Sequence, residues 1–307
     1  PVLEDRANRF AELMEEINER GSGNRKQPVK QLEKEAINTF LGIKICDPAM
    51  GSGHFLVRAT DYLAEHIIVE LDKYPDNPVI QQLESIRQDI IETLEEQDIS
   101  IDERVLKDTN LLKRMVMKRC IYGVDLNPMA TELAKLSLWL DSFTVGAPLS
   151  FLDHHLKVGN SLIGTSVHEV EEALKPEEGV TEDLFGSPFR GLLQAANFMR
   201  DVSILTDATF SEVEQSISKY ESFENAIGAY KTILDFWISQ HFGNEGVKQV
   251  MEVQGQDVLD ALKKQDRANL HKNERESLEL TETLSEKHHF FHWELEFPEV
   301  FIDLERS

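Results

Sequence analysis

The segment "IKICDPAMGSGHFLV", Ile43–Val57, decides the fold class of this chain. An apolar, β-branched run ends in an acid, a glycine-rich turn follows, and a helical pattern begins near residue 54. Parallel α/β sheets open in this way, and their ligands bind beside the carboxyl ends of the strands. The first N–H groups of such a helix can face an anionic or polar group. The segment therefore predicts an α/β, Rossmann-like doubly wound sheet with a ligand-binding loop.

The glycines of this turn narrow the class of ligand. A Cβ at Gly51 or Gly53 would hold a ligand away from the main chain. A lone G-x-G is also typical of turns without any function, so that alternative stays open. Leu56 stands where the dinucleotide fingerprint has its third glycine, and no G-x-x-x-x-G-K-[ST] occurs. Tight NAD or FAD binding is disfavoured, and a phosphate-cradling NTPase loop is excluded.

A second strand, "CIYGVD", ends at Asp125. A carboxylate at this position can accept hydrogen bonds from both hydroxyls of a ribose. The alternative is that Asp125 caps the following helix, and both roles can coexist. The acid follows Gly53 by 72 residues rather than the usual 20 or so, and a helical excursion fills the gap.

The remaining pattern is mostly helical, with a third strand near Leu156–Val158. Helical spacing of apolar residues predicts helices at 2–19, 30–41, 54–73, 79–98 and 103–118, and another after Pro128. The predicted organisation begins with an N-terminal helical segment (1–42) and an α/β core (43–165) that contains a helical excursion at about 76–118. A linker (166–191), a large helical insertion (192–290) and a final return segment (291–307) follow.

Composition excludes several classes of protein. The chain has 307 residues, 41% of them hydrophobic, which is ordinary for a globular protein with a real core. No apolar run approaches a membrane span, and the charged amphipathic opening is no secretory signal. Two cysteines, Cys46 and Cys120, exclude a disulfide framework and favour a cytoplasmic location. We expect both to be buried small apolar residues. The net charge of −24 argues against a broad nucleic-acid-binding surface.

Four blocks of the sequence together resemble amino-group DNA methyltransferases. They are "DPAMGSGHFLV", "IYGVDLNPMATELAKLSLWL", "PLSFLDHHLKVGNSLIG" and "FHWELEFPEVF". The chain is most similar to the N6-adenine enzymes of restriction–modification and phage-defence systems, from about Ile43 to Phe301. The first block is specific to S-adenosylmethionine enzymes, and the order of the blocks indicates DNA adenine. The resemblance implies a partial Rossmann-like methyltransferase sheet with large helical insertions, and S-adenosylmethionine as the cofactor.

The resemblance also implies roles for particular residues. Asp47 and the loop after it would hold the methionine part of the cofactor, and Phe55 would close that side of the pocket. The loop residues are Ala49, Met50, Gly51, Ser52 and Gly53. Asp125 would bind the ribose hydroxyls, and Leu126 and Pro128 would line one face of the adenine. Asn160 stands where related enzymes commonly have an aspartate, and its amide can still pair with the adenine edge. The alternative for Asn160 is a turn residue.

One element of the family pattern is missing. Family members transfer the methyl group with an Asn/Asp-Pro-Pro-aromatic tetrad that holds the flipped-out base. The Asn-Pro pairs of the chain are Asn77-Pro78 and Asn127-Pro128, and neither is followed by a second proline. We therefore expect no catalytic residue in this chain, which would be the cofactor-binding part of a larger enzyme. DNA would be bound by regions outside it, with a nuclease and a target-recognition domain as possible fused partners.

The histidines and C-terminal aromatics favour packing over chemistry. His154, His155, His288, His289 and His292 match no zinc spacing, so we expect no metal site. The aromatic residues at 290–301 alternate loosely with polar residues, as an irregular strand or loop against the sheet would. Two other functions stay open: a methyltransferase acting on another amine (cytosine N4, RNA or protein glutamine), and a non-catalytic helical scaffold.

Overall fold

The computed structural model describes residues 1–21, 26–174, 191–264, 266, 268 and 270–301. Within these ranges the chain forms three short strands, and most of the remainder is helical. The strands are β1 (Ile45–Asp47), β2 (Ile121–Asp125) and β3 (Leu156–Val158). The helices are α1 (Val2–Gly21), α2 (Lys26–Leu41), α3 (His54–Leu71), α4 (Pro78–Glu95), α5 (Asp108–Cys120), α6 (Pro128–Asp141), α7 (Val167–Leu174), α8 (Gly191–Ile204), α9 (Phe210–Ser239), α10 (Val247–Lys263), α11 (Lys272–His288), α12 (Trp293–Glu296) and α13 (Pro298–Phe301).

The three strands are neighbours in the order β1-β2-β3. β1 runs parallel to β2, with Ile45 opposite Ile121 and Asp47 opposite Gly123. β3 lies on the other side of β2, where the Gly123 amide donates to the His155 carbonyl at 2.9 Å. The predicted order of strand, glycine turn, helix and strand ending in an acid is therefore confirmed. β1 begins two residues later than predicted, because the Ile43 amide still bonds to Phe40 in the last turn of α2.

The chain divides into two compact units. Unit 1 consists of Pro1–Gly123, Met129–Leu156 and Ser203–Ser216. Unit 2 consists of Val124–Pro128, Lys157–Val202 and Ile217–Ser307. Each has its own hydrophobic core. The boundary falls within β2, α6, β3, α8 and α9, so these elements contribute residues to both units.

Unit 1 is built from helices with one apolar face. In α1, Phe10, Leu13 and Met14 are buried at helical spacing, and the Phe10 ring lies 5.1 Å from that of Phe40 in α2. α4 begins sharply because the Asn77 side chain accepts hydrogen bonds from the two amides after Pro78, both at 3.0 Å. This is an N-cap with proline at the first helical position.

A buried carboxylate joins distant parts of unit 1. Asp207 accepts hydrogen bonds from the Lys118 ammonium, the Ser216 hydroxyl at 2.7 Å and the Phe151 amide at 2.9 Å. Its main-chain carbonyl accepts a hydrogen bond from Arg114 at 2.8 Å. Because Asp207 and Lys118 are both buried, removing either partner would strand the other charge away from water.

Replacing Asp207 by alanine should therefore reduce the free energy of unfolding by about 3 kcal/mol or more. Urea denaturation of Asp207→Ala measures this loss. The exposed pair Lys73–Glu70 supplies the control, because Lys73→Ala should cost under about 1 kcal/mol. Equal losses in the two variants would contradict the role of Asp207.

Unit 2 forms its core around α9. Phe223, Ile227, Tyr230 and Leu234 are buried at successive turns of this helix. The predicted linker at 166–191 differs in its first part, because α7 occupies Val167–Leu174 and buries Val170 in this core. Residues 175–190 of that prediction lie outside the described residues.

Unit 2 also contains a buried ion pair. Glu296 of α12 accepts hydrogen bonds from Lys157 of β3 at 2.8 Å and from Lys231 of α9 at 2.6 Å. Burial by itself would raise the pKa of the Glu296 carboxyl, but the two ammonium groups overcome this and lower its pKa from 4.5 to about 2. The carboxylate is therefore held in its charged form inside unit 2.

When folding lowers the pKa of a carboxyl group, its charged form stabilises the folded protein. This stabilisation is fully present at a pH above the pKa of the unfolded chain, and it is lost as the pH falls through the pKa of the folded protein. For Glu296 this window runs from about pH 4.5 down to about pH 2. Glu296→Gln should flatten the decline of stability across this window, as measured by denaturant unfolding at a series of pH values. The exposed Glu276→Gln should leave the decline unchanged. If the stability of Glu296→Gln declines with pH as that of the wild type does, Glu296 is not the cause of the decline.

The C-terminal aromatic segment packs as expected but has a different local structure. Phe290 forms an isolated parallel bridge with Asn160 and is buried, as are Phe291 and Phe297. Core packing is therefore the observed role of these three residues. The segment is not an irregular strand over its whole length, because it continues into the single turns of α12 and α13.

The two cysteines differ in exposure. Cys120 is buried, as expected, but Cys46 is exposed, so the prediction for Cys46 was wrong. Among the described strands β1 is at one end of the sheet, and no described strand covers its free edge. Among the same residues, no helix combines the length and apolar character needed to cross a membrane.

Candidate functional site

The glycine loop, Pro48–Gly53, is a tight turn between β1 and α3. Asp47, the last residue of β1, accepts a hydrogen bond from the Ala49 amide at 3.1 Å. The Gly53 amide donates to the Met50 carbonyl at 2.9 Å, and the Ser52 hydroxyl lies 3.0 Å from Nδ1 of His54. The first amides of α3 have no helical partner, so they can bind a ligand at this end.

The two glycines of the loop have different roles. Both have positive φ, +54° at Gly51 and +79° at Gly53. A Cβ at Gly51 would have no atom within 4 Å, so the space beside its Cα is empty. A Cβ at Gly53 would lie 2.9 Å from the Cβ of Ala134, so glycine at this position allows the close approach of α6. That both glycines admit a ligand stays a prediction.

Met50 contributes to the loop through its main chain. Its side chain is 4% exposed and packs against β2. A Cβ at Gly123 would lie 2.3 Å from the Met50 sulfur and 2.9 Å from a methyl carbon of Leu56. Gly123 is thus required beneath the loop, and sequence analysis missed it. The signal was a glycine in the middle of an apolar strand, which often marks a close approach of backbone or side chains.

Phe55, in the first turn of α3, is 56% exposed. It lines an open pocket together with Ile45, Ala59 and Tyr62 of unit 1. A large apolar ring left exposed beside a glycine turn is available to contact a ligand. The role in cofactor binding that the resemblance implies for Phe55 stays a prediction.

The Asp125 segment, Asp125–Pro128, connects β2 to α6. One carboxylate oxygen of Asp125 accepts a hydrogen bond from the Asn127 amide at 2.8 Å, which closes a turn just before α6. Each carboxylate oxygen can accept more than one hydrogen bond, so this turn and ribose binding are compatible. Leu126 is 52% exposed, and Pro128, at the first position of α6, is also exposed.

Asn160 lies just after β3 and belongs to unit 2 with Asp125. The Gly159 amide donates to the Asp125 carbonyl at 3.0 Å, so these two strand ends are neighbours. The Asn160 side chain accepts a hydrogen bond from the Leu162 amide at 3.1 Å. Asn160 is therefore a half-buried turn residue.

The histidines have packing environments. His154 and His155 are completely buried, and the His155 ring lies 3.9 Å from that of Tyr122. Burial lowers the pKa of His155 well below its usual value, so its ring is neutral. His292 is also buried and lies 2.8 Å from a carboxylate oxygen of Asp235. The described residues contain no group of three or more metal-binding side chains suited to hold an ion.

Comparison with known protein families decides the relationship of this chain. Residues 119–306, more than half of it, match the family model of the Eco57I restriction-modification methylase. The chain belongs to the Eco57I restriction-modification methylase family. The matched residues include β2, the Asp125 segment and Asn160, and they begin downstream of the glycine loop.

A curated relative agrees with the Eco57I assignment. A protein of Methanocaldococcus jannaschii named "Putative type II restriction enzyme and methyltransferase" is 31% identical over 145 residues. The alignment covers 43% of this chain and 10% of that protein. The chain thus matches about a tenth of the length of this relative. No solved structure matches the chain.

The different roles of the two loop glycines give a test by stability. Gly53→Ala combines a positive φ with a clash, so it should cost about 2–3 kcal/mol of unfolding free energy. Gly51→Ala meets only the positive φ and should cost about 1 kcal/mol. Urea denaturation of both variants measures the difference. A loss at Gly51 as large as that at Gly53 would contradict the packing described for the loop.

Proposed function

We propose that this chain is the S-adenosylmethionine-binding part of a site-specific DNA adenine-N6 methyltransferase of a restriction–modification system. Membership of a methylase family supports the reaction class. Resemblance of the four sequence blocks to adenine methylases supports the base. A Rossmann-like methyltransferase core, of which three parallel strands are described, is the fold that this proposal requires.

One observation carries the proposal: the empty space beside the Cα of Gly51, just after the carboxyl end of β1. Asp47, the last residue of β1, pairs with Gly123 of β2. Parallel strands end at the same edge of a sheet, which is where α/β proteins bind ligands. The residues present fit S-adenosylmethionine, since no atom lies within 4 Å of the place where a Cβ of Gly51 would be.

Each residue has a proposed role in binding rather than in bond making. Asp47, Ser52 and the main chain of the glycine loop would hold the methionine part, with Phe55 beside it. Asp125 would accept hydrogen bonds from the ribose hydroxyls through its two oxygens. Leu126, Pro128 and Asn160 would surround the adenine. When bound, S-adenosylmethionine supplies a methyl group activated by its sulfonium sulfur.

DNA binding is proposed for regions outside this chain. A net charge of −24 opposes the counterion release on which DNA affinity depends. The relative from M. jannaschii is named as both a restriction enzyme and a methyltransferase. A fused nuclease and a target-recognition domain are therefore the partners that we propose for the whole protein.

Isothermal titration calorimetry with S-adenosylmethionine tests the binding proposal. The wild-type chain should bind, weakly at most. Asp125→Asn keeps an oxygen for the Asn127 amide but loses the charged acceptor, so it should weaken binding about tenfold while unfolding at the same urea concentration. Asp125→Ala should lose both binding and stability. No heat from the folded wild type would overturn the proposal and favour the scaffold function.

A second experiment addresses methyl transfer. The sequence contains no Asn/Asp-Pro-Pro-aromatic tetrad, so incubation of the chain with labelled cofactor and DNA should leave the DNA unlabelled. Robust labelling would contradict this expectation. Labelling of RNA, of a protein glutamine or of cytosine in place of adenine would favour the alternative substrates.

A further inference from the structure

The outer face of α6 carries a line of exposed apolar side chains. Four large apolar residues of this helix are each between 45% and 68% exposed, and we call them the α6 stripe: Met129, Leu133, Leu136 and Leu140. Single exposed leucines scattered over a surface are ordinary, whereas a contiguous apolar patch marks an interaction site. The α6 stripe is contiguous because its members share one face of one helix.

Helical spacing places the four side chains on this face. The steps between them are four, three and four residues, and residues three or four apart are neighbours on a helix. The buried residues of α6 are on the opposite face, where Ala134 packs against Gly53. The helix is therefore apolar on two faces, of which the described part of the chain covers one. A helix with this character is normally covered on both.

The spacing of the α6 stripe also specifies the kind of partner. Alternating steps of four and three residues are the a and d positions of a heptad, the seam along which two helices pack at about 20°. Leu133 and Leu140 take the a positions, and Met129 and Leu136 take the d positions. A second helix can contact all four side chains, because its own anchors recur at matching intervals.

Both flanks of α6 are acidic. Each flank has two carboxylates around one lysine, which leaves a net charge of −1 on each. The groups are Glu132, Asp153 and Lys135 on one flank, and Asp61, Asp141 and Lys113 on the other. Glu132 and Asp141 are nine residues apart, about two and a half turns, so they lie on opposite sides of the helix. A complementary partner therefore has lysine or arginine beside its apolar seam.

A second copy of this chain is a poor match for the α6 stripe. Two copies packed through it would bring acidic flanks together, and each copy has a net charge of −24. A stable dimer also uses about 20–30 residues on each side, far more than the stripe supplies. An amphipathic helix binds through a few anchors, so the stripe is large enough for it.

We propose that the α6 stripe is the docking site of a basic amphipathic helix that lies outside this chain. The apolar seam of that helix covers the four side chains, and its lysines or arginines pair with carboxylates on the flanks. The stripe is on the face of α6 turned away from Gly53, so the docked helix leaves the glycine loop uncovered.

Fluorescence anisotropy with a synthetic helix tests the docking site. The seam peptide has about three heptads, with leucine at a and d and lysine at e and g, so that its own copies repel one another. It should bind the chain saturably, and less tightly as salt is added, because salt screens the acidic flanks. A control peptide of the same composition, with its leucines moved off the seam, should bind about tenfold more weakly.

Two leucine variants locate the bound peptide. Leu136→Ala should weaken binding of the seam peptide about tenfold, because it removes an apolar contact in the middle of the stripe. Leu280→Ala is the matched control, since it truncates a 41% exposed leucine on α11, and it should leave the affinity unchanged. Both variants should unfold at the urea concentration of the wild type, because neither side chain is buried.

Two charge variants test the acidic flank in the same assay. Glu132→Gln should weaken binding of the seam peptide about two- to fivefold at low salt, and the difference should vanish at high salt. Glu276→Gln removes an exposed acid from α11 and should have no effect. Equal losses in the two variants would show that the peptide senses only the total charge of the chain and would overturn the inference.

Other outcomes would also overturn the inference. The inference fails if the seam peptide does not bind, if both peptides bind equally, or if Leu280→Ala weakens binding as much as Leu136→Ala. Sedimentation of the chain alone should show a monomer, and a dimer that Leu136→Ala dissociates would make a second copy the occupant. None of these measurements uses S-adenosylmethionine, so a failure here leaves the proposed function standing.

Discussion

The close approach of the glycine loop to β2 at Gly123 is the constraint on which the rest of unit 1 depends. Met50 and Leu56 both occupy space that a side chain at position 123 would fill. The pairing of Asp47 with Gly123 also fixes the register of β1 against β2. The place of the glycine loop in unit 1 is therefore set by one contact that requires a glycine.

Charge is used differently inside the chain and at the strand ends. Buried carboxylates are paired with lysines in both units, as for Asp207 with Lys118 and Glu296 with Lys157. Such pairs are weak contributors to net stability but strongly resist the loss of one partner. Among the proposed binding residues, Asp125 and Asn160 are half-buried, and the side chain of each accepts a hydrogen bond from an amide two residues further on. These turns keep their shape while leaving polar and apolar groups available to a ligand.

Sequence patterns that act over short distances predicted the strands and helices around the candidate site. The apolar run before Asp47, the glycine turn and Pro128 at a helix start are local signals, and the structure has these elements where they were expected. The burial of Cys46 was predicted wrongly because it depends on whether another strand covers the free edge of β1. That covering is a property of the whole sheet and cannot be seen in the local sequence. The packing role of Gly53 depends on Ala134, which lies 81 residues further along the chain. The motif alone therefore could not distinguish Gly53 from Gly51.

Contacts between residues far apart in the sequence could not be predicted from sequence patterns. Asp207 reads as an ordinary loop acid until Lys118 and Phe151 are seen to converge on it. The family match begins at residue 119 and does not include the glycine loop, so the match does not support the role proposed for this loop, which is argued from its geometry.

Backbone amide chemical-shift mapping during a titration with S-adenosylmethionine tests the central claim most directly. The account predicts that the largest shifts fall at Gly51–Phe55, with a second group at Asp125 and Leu126, while α11 stays unchanged. Saturable shifts confined to other regions, with Gly51 unaffected, would contradict the claim that the end of β1 binds the cofactor.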